Sequence, residues 1–399
     1  MAKESDGQTL RDYKNRKKRI RRIRRAIICM LLLVVAVAGL IHWIRINNMK
    51  YRSYEVSKQI KNDGSENAQY IDYGSSVIKY NKDGAQAIDK SGRIIWNGSY
   101  NMMDPIADTC GDYAVIADRG NKLVYIYNKK GEVGSIKTLH GIVKTEIAKQ
   151  GVIAVQMEDE DTNYVKLFYA DGSEVTSGED STILAELEKG MDQFGYLMDM
   201  ALSEDGKKLA AIFLSMNSGK LVTNIGFYNY GEVGQNWTDR FAGGYQYEGI
   251  IVPKVTFLNN NVACVFKENG MVLYSFTELS NVISEVNFDG KIKSVLHNDK
   301  YAGVVLESEE DTAGQLLLYD LKGKKVLDKK LKFDYDKIYL AGDEIIMHDN
   351  LTCVVLKSSG TEKFRYTFPS NIAAFYPANS INKYFLASST DISEITLKE

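Results

Sequence analysis

Proline, cysteine, histidine and tryptophan are all scarce in this sequence, with 4, 4, 4 and 3 residues in a chain of 399. Cys29 lies in an apolar run, and Cys110, Cys264 and Cys353 are scattered, each within or beside an apolar segment. The odd number of these three and their irregular spacing exclude a disulfide framework and a zinc knuckle. We therefore predict buried free thiols.

The histidines and serines form no catalytic or metal-binding motif. His42, His140, His297 and His348 do not occur at metal-ligand spacings, and no serine stands in a nucleophile-elbow pattern. An activated nucleophile needs a base and an orienting group together. The motifs therefore predict no catalytic residue and no cofactor, and a protein that is not an enzyme is the favoured interpretation.

Long apolar runs are absent except for residues 26–44, AIICMLLLVVAVAGLIHWI. A helix of this length rises about 28 Å, close to the hydrocarbon thickness of a bilayer. Lysines and arginines crowd residues 14–25 and are few after residue 44, which predicts a cytoplasmic N-terminus. We predict one transmembrane helix in the cell membrane and an extracytoplasmic C-terminal domain. The alternative is a signal peptide cleaved after Ala38.

The charges divide the chain into two unlike parts. Residues 1–25 carry 11 Lys/Arg against 3 Asp/Glu, whereas the remaining residues carry 39 against 49. The basic tail, at 1–25, is expected to contact anionic lipid headgroups. The acidic remainder argues against nucleic acid as a partner. Residues 45–53 are interpreted as a juxtamembrane linker.

A repeat of about 40 residues runs through residues 54–399. Each copy has two apolar runs separated by a polar turn, and most copies end in a glycine turn, as in Tyr113–Ala117, Leu123–Tyr127 and Gly131. Short strands at this period predict an all-β fold, a β-propeller of eight blades. Seven blades is the alternative, because one copy lacks the glycine turn.

Two local segments complete the predicted ring. The last copy ends at its third strand, so we predict that Tyr54–Ile60 supplies the missing outer strand, with Tyr54, Val56 and Ile60 on one face. One longer interval contains STILAELEK at Ser181–Lys189, followed by Gly190. Capping residues at both ends predict a short helix there.

Two resemblances support this fold. Leu202–Leu209, LSEDGKKL, is similar to a turn of TolB-type and WD-like propeller repeats. Over almost its whole length the chain also resembles a family of membrane-anchored propellers from Gram-positive anaerobic bacteria, known as a domain of unknown function. The matching segments are Gly92–Asn97, Met103–Pro105, Gly111–Tyr113, Gly195–Tyr196 and Phe227–Asn229. This resemblance implies fold and topology and no activity.

Two groups of residues are candidate sites. Acidic turns at Glu158–Asp161 and at Glu307–Asp311 lie between the second and third strands of their blades, and thus on one face of the disc. Their oxygens are weak candidates for a hard cation such as calcium; solvated turns are the alternative. The weak metal candidates are Asp159, Asp161, Glu309 and Asp311, and the possible ligand-face aromatics are Trp237, Tyr245 and Tyr247.

Two functions remain open at this level. The first is a non-enzymatic binding scaffold or sensor for a protein or cell-envelope ligand, fixed to the membrane by its anchor. The second is an extracytoplasmic carbohydrate-active enzyme that uses carboxylates lining the central funnel. The enzyme needs a close Asp/Glu pair in that funnel.

Overall fold

The computed structural model describes residues 15–17, 23–25, 27–39, 49–62, 67–177, 183–184, 186–308, 313–378 and 380–399. The chain divides into two units, of which the larger comprises Tyr51–Lys398. In the smaller unit, residues 15–17, 23–25 and 27–39 are helical. The predicted transmembrane helix over 26–44 is not confirmed, and residues 26 and 40–44 lie outside the described residues. None of the described helices combines the length and the apolarity that crossing a membrane requires.

The larger unit is a ring of antiparallel sheets, each with four strands. The described part of the chain contains eight such sheets and one two-stranded hairpin. The strands of blades 1 to 4 are Gln69–Tyr73, Ser76–Tyr80, Gly84–Asp89 and Ile94–Ser99; Pro105–Cys110, Tyr113–Asp118, Leu123–Asn128 and Gly131–Lys137; Gly141–Ile147, Ile153–Glu158, Thr162–Phe168 and Glu186–Gly190; Tyr196–Leu202, Lys208–Asn217, Lys220–Asn229 and Phe241–Glu248.

Blades 5 to 8 repeat the arrangement. Their strands are Lys254–Asn259, Val262–Lys267, Gly270–Phe276 and Ser280–Asn287; Ile292–His297, Tyr301–Leu306, Gly314–Asp320 and Lys325–Leu331; Lys337–Ala341, Glu344–His348, Thr352–Lys357 and Glu362–Thr367; Ala374–Pro377, Lys383–Ala387, Asp391–Lys398 and Ser53–Lys61. The predicted eight-bladed β-propeller is confirmed, and the alternative of seven blades is wrong.

The core lies between the blades. The second strands are apolar on both faces, and Ser76–Tyr80 is buried at all of its positions. Each interface joins side chains of two neighbouring sheets, as where Val115 and Ile126 of blade 2 meet Ile153 and Val155 of blade 3. This packing explains why the second strands do not alternate between apolar and polar residues.

The N-terminal strand closes the ring as predicted. Ser53–Lys61 pairs antiparallel with Asp391–Lys398, with Tyr54 opposite Leu397 and Ile60 opposite Ile392. The strand supplies the fourth strand of blade 8 and protects its edge. Tyr51 also pairs with Phe364 of blade 7, so the propeller begins slightly before the predicted boundary at residue 54.

The prediction that Tyr54, Val56 and Ile60 share one face is wrong. The register shifts between Val56 and Lys58, which is a bulge at Ser57. Tyr54 therefore contacts Tyr366 and Phe368 of blade 7, at ring-centroid distances of 5.0 and 5.1 Å. Ile60 packs on the opposite side, against the cluster shared by blades 8 and 1. The bulge lets one strand contact both neighbouring blades.

The predicted helix at Ser181–Lys189 is also wrong. Ile183–Leu184 pairs with Thr176–Ser177 in a small hairpin, and Glu186–Gly190 is the fourth strand of blade 3. Residues 181, 182 and 185 lie outside the described residues. Pairing with Thr162–Lys166 and burial of Leu187 outweigh the local helix signals. A helix does follow, but it spans only Met191–Phe194.

The order of the strands gives the disc two distinct faces. We call the upper face the one that carries the connections between second and third strands and between successive blades. The lower face carries the connections between first and second and between third and fourth strands. Many of these lower turns use glycine, as at Gly323, whose φ of 78° is unfavourable for other residues.

Candidate functional site

The first strands lie next to one another around the central channel of the ring. Those of blades 2 to 5 bring together charged side chains that are far apart in sequence. These are Asp108, Lys144, Glu146, Asp199 and Lys254. We call them the channel cluster, and they form the main group of interacting charges on the first strands.

Asp199 is the hub of the channel cluster. Its Oδ1 lies 2.7 Å from Nζ of Lys144 on blade 3. Its Oδ2 accepts a hydrogen bond of 2.9 Å from the backbone N–H of Val255 and lies 3.8 Å from Nζ of Lys254, both on blade 5. The carboxylate is almost fully buried, with 8% of its side chain exposed. One side chain therefore joins three consecutive blades.

Lys144 is held by two carboxylates and a carbonyl. Its Nζ lies 2.7 Å from Glu146 Oε1 and donates to the carbonyl oxygen of Met200 at 2.7 Å. Burial alone lowers the pKa of a lysine, but the negative charges of Glu146 and Asp199 outweigh it and raise the pKa of Lys144. The ammonium group therefore stays charged at neutral pH.

Asp108 repeats the role of Asp199 one interface earlier. Its Oδ2 accepts a hydrogen bond of 2.8 Å from the backbone N–H of Ile147 on blade 3. Burial, and then the negative charge of Glu146, raise the pKa of Asp108 to about 7. This carboxyl is therefore close to half-protonated at neutral pH.

His297, on the first strand of blade 6, is the last residue in this series of polar contacts. Its Nδ1 shares a hydrogen bond of 3.3 Å with Oγ1 of Thr256 on blade 5. Burial, and then the positive charges of Lys254 and Lys144, lower the pKa of His297 to about 4. The imidazole is therefore neutral, and it adds no positive charge to the channel.

The opposite side of the channel is built from tyrosines and one ion pair. Tyr376 donates a hydrogen bond of 3.0 Å to the carbonyl oxygen of Tyr70, and Tyr339 donates to that of Phe375. Asp72 Oδ1 lies 2.8 Å from Lys90 Nζ. The two tyrosine hydroxyls bind carbonyl oxygens of neighbouring blades, whereas Asp72 and Lys90 both lie in blade 1. The first strands therefore connect the ring by hydrogen bonds as well as by apolar packing.

The two metal candidates in the acidic turn on blade 3, Asp159 and Asp161, accept hydrogen bonds from groups within and beside the turn. Asp159 Oδ1 accepts backbone N–H groups of Asp161 and Thr162, and its Oδ2 accepts the Tyr164 hydroxyl at 3.1 Å. Asp161 Oδ1 accepts the Thr162 hydroxyl at 3.0 Å. His140 stacks on Tyr164 and places Nδ1 3.3 Å from Asp159. These contacts favour the interpretation as a structured turn over that as a cation site.

The second acidic turn is only partly described. Both turns connect a second to a third strand, so they lie on the upper face as predicted. Glu309 and Asp311 lie outside the described residues, and their candidacy as metal ligands stays a prediction. Among the residues that are described, no group of three or more His, Cys, Asp or Glu is placed to hold a metal ion.

The three predicted ligand-face aromatics join blades 4 and 5. The Tyr245 hydroxyl donates to the carbonyl oxygen of Ser280 at 2.9 Å, and the hydroxyls of Tyr247 and Tyr274 lie 2.6 Å apart. Trp237 lies between two short 3-10 turns of the lower face and packs against the same cluster. Packing at the edges of the blades therefore fits this arrangement better than an exposed ligand face.

The upper face instead exposes aliphatic side chains that the sequence did not single out. Leu139, Met103 and Met216 are 73, 68 and 66% exposed, which makes them the most exposed large hydrophobic residues described in the propeller. They lie on blades 2 and 4 and on the connections beside blade 2. The lower face also exposes large hydrophobic residues, with Ile381 at 62% and Leu279 at 54%, but the three highest exposures are on the upper face. Exposed apolar side chains of this kind are typical of a binding surface.

Exposed acidic residues lie on the same face as these aliphatic side chains. Exposed carboxylates on or beside the upper connections of blades 2 to 5 outnumber exposed basic groups. The acidic ones are Glu160, Asp161, Glu188, Asp192, Glu248, Glu268, Glu285 and Asp289, and the basic ones are Arg119, Lys122, Lys137, Lys220 and Lys291. Arg119 is also neutralised by Asp104, at 2.7 Å. We call this region, with Met103, Leu139 and Met216 at its centre, the apolar–acidic surface.

Sequence reasoning missed the channel cluster because its members on neighbouring blades are 36 to 55 residues apart, and nothing in the sequence indicates that they are close in space. A usable signal exists: Asp108 and Asp199 are both the fourth residue of a first strand. Aligning the repeat units by strand would have placed both carboxylates at one level of the ring.

Solved structures similar to this chain share its fold. BamB from Moraxella catarrhalis gives a TM-score of 0.50 at 10% identity, covering 86% of this chain and 100% of that chain. Apo AztD from Citrobacter koseri gives 0.51 at 11% identity, covering 76% and 87%. A eukaryotic initiation factor gives 0.51 at 13% identity, covering 86% and 84%. Identities this low show the fold alone.

A search of the curated proteins found no match. The membrane anchoring and the Gram-positive source that the resemblance implied stay predictions. The expected family of unknown function is confirmed: the family model DUF5711, described as a family of unknown function, matches residues 47–397, and the chain belongs to this family.

Proposed function

We propose that this protein is a membrane-anchored binding scaffold whose propeller holds a partner protein on the apolar–acidic surface, outside the cytoplasm. One observation carries the proposal. The three most exposed large hydrophobic side chains described in the propeller, Leu139, Met103 and Met216, share one face. Burying such side chains against a partner removes apolar area from water, and this stabilises a complex by about 25 cal/mol per Å² of apolar surface buried. The chain enters the propeller on the lower face, at Tyr51.

The charge of the surface indicates the chemistry of the partner. Carboxylates around an aliphatic centre are complementary to a segment that carries apolar side chains flanked by lysine or arginine. A nucleic acid or an anionic lipid surface does not fit, because both would meet like charge. Screening by salt is therefore expected to slow the association.

The channel supports binding over catalysis. Lys144, Asp199 and Lys254 are engaged with one another and with backbone groups of adjacent blades. Side chains occupied in this way hold the ring together and are poorly placed to attack a substrate. A rigid ring that presents loops on one face suits a scaffold.

The anchor and its orientation rest on the sequence. Residues 26–44 have the length and apolarity of a membrane span, and the basic residues of the tail predict a cytoplasmic N-terminus with contacts to anionic headgroups. We expect the full chain to remain with membranes after alkaline extraction and its propeller to be reached by protease added to intact cells. Release of the chain by alkali in a mature form lacking residues 1–38 would support the cleaved signal peptide instead.

Paired serine substitutions test the binding surface. Leu139→Ser with Met216→Ser removes the aliphatic centre, and Leu279→Ser with Ile381→Ser is the matched control on the lower face. Chemical crosslinking on native membranes should yield a complex with wild type and with the control but not with the upper-face variant. A complex that survives the upper-face substitutions contradicts the proposed surface.

A second candidate function keeps one specific observation in its favour. Asp108, whose pKa is raised to about 7, is coupled electrostatically to Glu146 on the next blade. A carboxyl whose pKa is raised toward neutral, beside a second carboxyl, is a pairing that glycoside hydrolysis uses. A carbohydrate-active enzyme that uses Asp108 and Glu146 is therefore the second candidate. Glycan cleavage that Asp108→Asn and Glu146→Gln each abolish would establish this function, and absence of cleavage by the wild type would exclude it for the glycans tested.

A further inference from the structure

A small cavity lies at the upper end of blade 1, away from the channel cluster. Its volume is about 210 Å³, and it lies between the ends of the second, third and fourth strands. The polar side chains that line it are Lys79, Asn81, Asp83, Gln86, Asn97 and Ser99. Asn97 pairs directly with Gln86, so their carboxamides belong to one level of the sheet.

Two glycines give this cavity its shape. A Cβ at Gly84 would lie 2.4 Å from the carbonyl oxygen of Gly98, and a Cβ at Gly98 would lie 2.6 Å from the hydroxyl oxygen of Tyr127. Any larger residue at these positions would therefore force the strands or Tyr127 apart. The wall of the cavity at Gly98 consequently lies directly against Tyr127 of blade 2.

Three buried polar atoms meet behind this wall. Trp96 Nε1, the Tyr100 hydroxyl and the Tyr127 hydroxyl have no hydrogen-bond partner among the described residues. These side chains are 7, 9 and 1% exposed, and the rings of Trp96 and Tyr127 stack at 4.5 Å. Unpartnered buried polar atoms are rare and call for an explanation such as an ordered water. None of these three side chains lines the cavity itself. Tyr100 follows Ser99 directly and donates its backbone N–H to the carbonyl oxygen of Asp83, at 3.0 Å.

The lining selects the chemistry of a ligand. Carboxamides both donate and accept hydrogen bonds, as do the hydroxyls of a sugar, and Asp83 adds an acceptor. Lys79 donates to Asn62 at 2.8 Å. Lys79 and Asp83 carry opposite formal charges, so the lining has no net charge that favours an anion. The cavity is smaller than the roughly 300–1,000 Å³ typical of drug-sized ligands and suits a single ring.

We propose that the blade 1 pocket, defined by Asp83, Gln86, Asn97 and Ser99 over Tyr127, binds one neutral pyranose unit of a saccharide. The ring fills the cavity, and its hydroxyls bind the carboxamides and Asp83. The pocket lies on the same upper face as the partner surface but shares none of its residues, so either proposal can fail without the other.

Binding of simple sugars tests the pocket. Saturation-transfer NMR on the full chain, in a detergent without a sugar headgroup, uses N-acetylglucosamine and glucose as probes. At least one should bind the wild type. Asn97→Ala and Asp83→Ala should each weaken it by about tenfold, since each removes a hydrogen bond to the ligand.

Asn101→Ala is the matched control, because Asn101 is exposed on the next connection and does not line the cavity. It should bind as the wild type does, and near-UV circular dichroism should be the same for all variants. The proposal is overturned if neither sugar binds, or if the pocket variants bind as tightly as Asn101→Ala.

Discussion

Asp199 joins blades 3, 4 and 5 through one carboxylate. Its replacement by alanine leaves the buried ammonium of Lys144 with one carboxylate fewer and the N–H of Val255 without its acceptor. We expect Asp199→Ala to lower the free energy of unfolding by roughly 2–4 kcal/mol, because the charges left behind are largely desolvated. Denaturant titration measures this loss.

The control for Asp199 is an exposed ion pair of similar distance. Asp343 lies 3.1 Å from Lys300, and both side chains are about half exposed, at 61 and 48%. Asp343→Ala should cost less than about 1 kcal/mol, because water screens the pair. Equal losses for the two variants would mean that the channel cluster does not stabilise the ring.

Asp108 predicts a dependence of stability on pH. Its pKa is about 7 in the folded protein, against about 3.9 in an unfolded chain. Between these values the folded state holds a proton that the unfolded state has released. The contribution of Asp108 to stability therefore falls as the pH rises from about 4 to 7. The carboxamide in Asp108→Asn keeps an acceptor for the N–H of Ile147 and does not titrate. The difference in unfolding free energy between this variant and the wild type should therefore grow in favour of the variant as the pH rises from about 5 to 8.

The measurement compares the unfolding free energies of wild type and Asp108→Asn at these two pH values. Asp112→Asn is the control, since Asp112 is 69% exposed and pairs with Lys129 on the same blade. Its difference from wild type should change little with pH. A constant difference for Asp108→Asn as well would show that Asp108 titrates normally.

At this scale the sequence predicted little of the candidate site. Aromatics beside loops often bind ligands, and on this ground the sequence indicates Trp237, Tyr245 and Tyr247 as candidates. In the structure these side chains pack between blades. The exposed aliphatic residues, such as Leu139, were missed because exposure depends on which strand end a residue occupies. A single sequence does not carry that information.

Among the elements, the closing strand combines a correct and an incorrect prediction. Period-two alternation correctly identified Tyr54–Ile60 as a strand, and the unfinished last repeat correctly placed it in blade 8. The bulge at Ser57 reverses the side chains that follow, so Ile60 faces blade 1 and not blade 7. No residue in this segment predicts the bulge, because the bulge depends on contacts with both neighbouring blades.

An engineered disulfide tests the register of this strand. Glu55 is paired with Thr396, so cysteines at both positions should form a bond. Joining the two ends of the ring should raise the free energy of unfolding by roughly 3–5 kcal/mol, since the unfolded chain loses much of its freedom. Thiol titration and denaturation under oxidising conditions measure both effects.

The control pair is displaced from the register by two residues. Glu394 pairs with Lys58, so cysteines at 55 and 394 should stay reduced. Bond formation in this control and none between 55 and 396 would contradict the register. Reduction of the disulfide should return the stability of the 55–396 variant to that of the wild type.

The segment at Ser181–Lys189 shows the limit of local signals. Capping residues predict a helix, but blade 3 lacks a fourth strand until Glu186–Gly190 supplies it. Strand propensity depends on pairing and burial more than on the residues themselves. The repeat pattern contained the necessary information, because every complete blade needs four strands.

At the scale of the whole molecule, the sequence predicted most of the fold. Apolar runs recur near a period of 40 residues because each blade must bury both faces of its inner strands, as Ser76–Tyr80 does. Counting these runs predicted eight blades. The function is less accessible, because a propeller is compatible with many ligands and its surface residues vary with the partner.

Photo-crosslinking from single positions is the most direct test of whether the upper face of the propeller binds a partner protein. A photo-reactive residue replaces Leu139 on the upper face or Leu279 on the lower face, with both chains expressed in native membranes. We expect a discrete adduct from position 139 that is lost at high salt, and no adduct from position 279. Adducts from both positions alike, or none from position 139, would contradict this proposal.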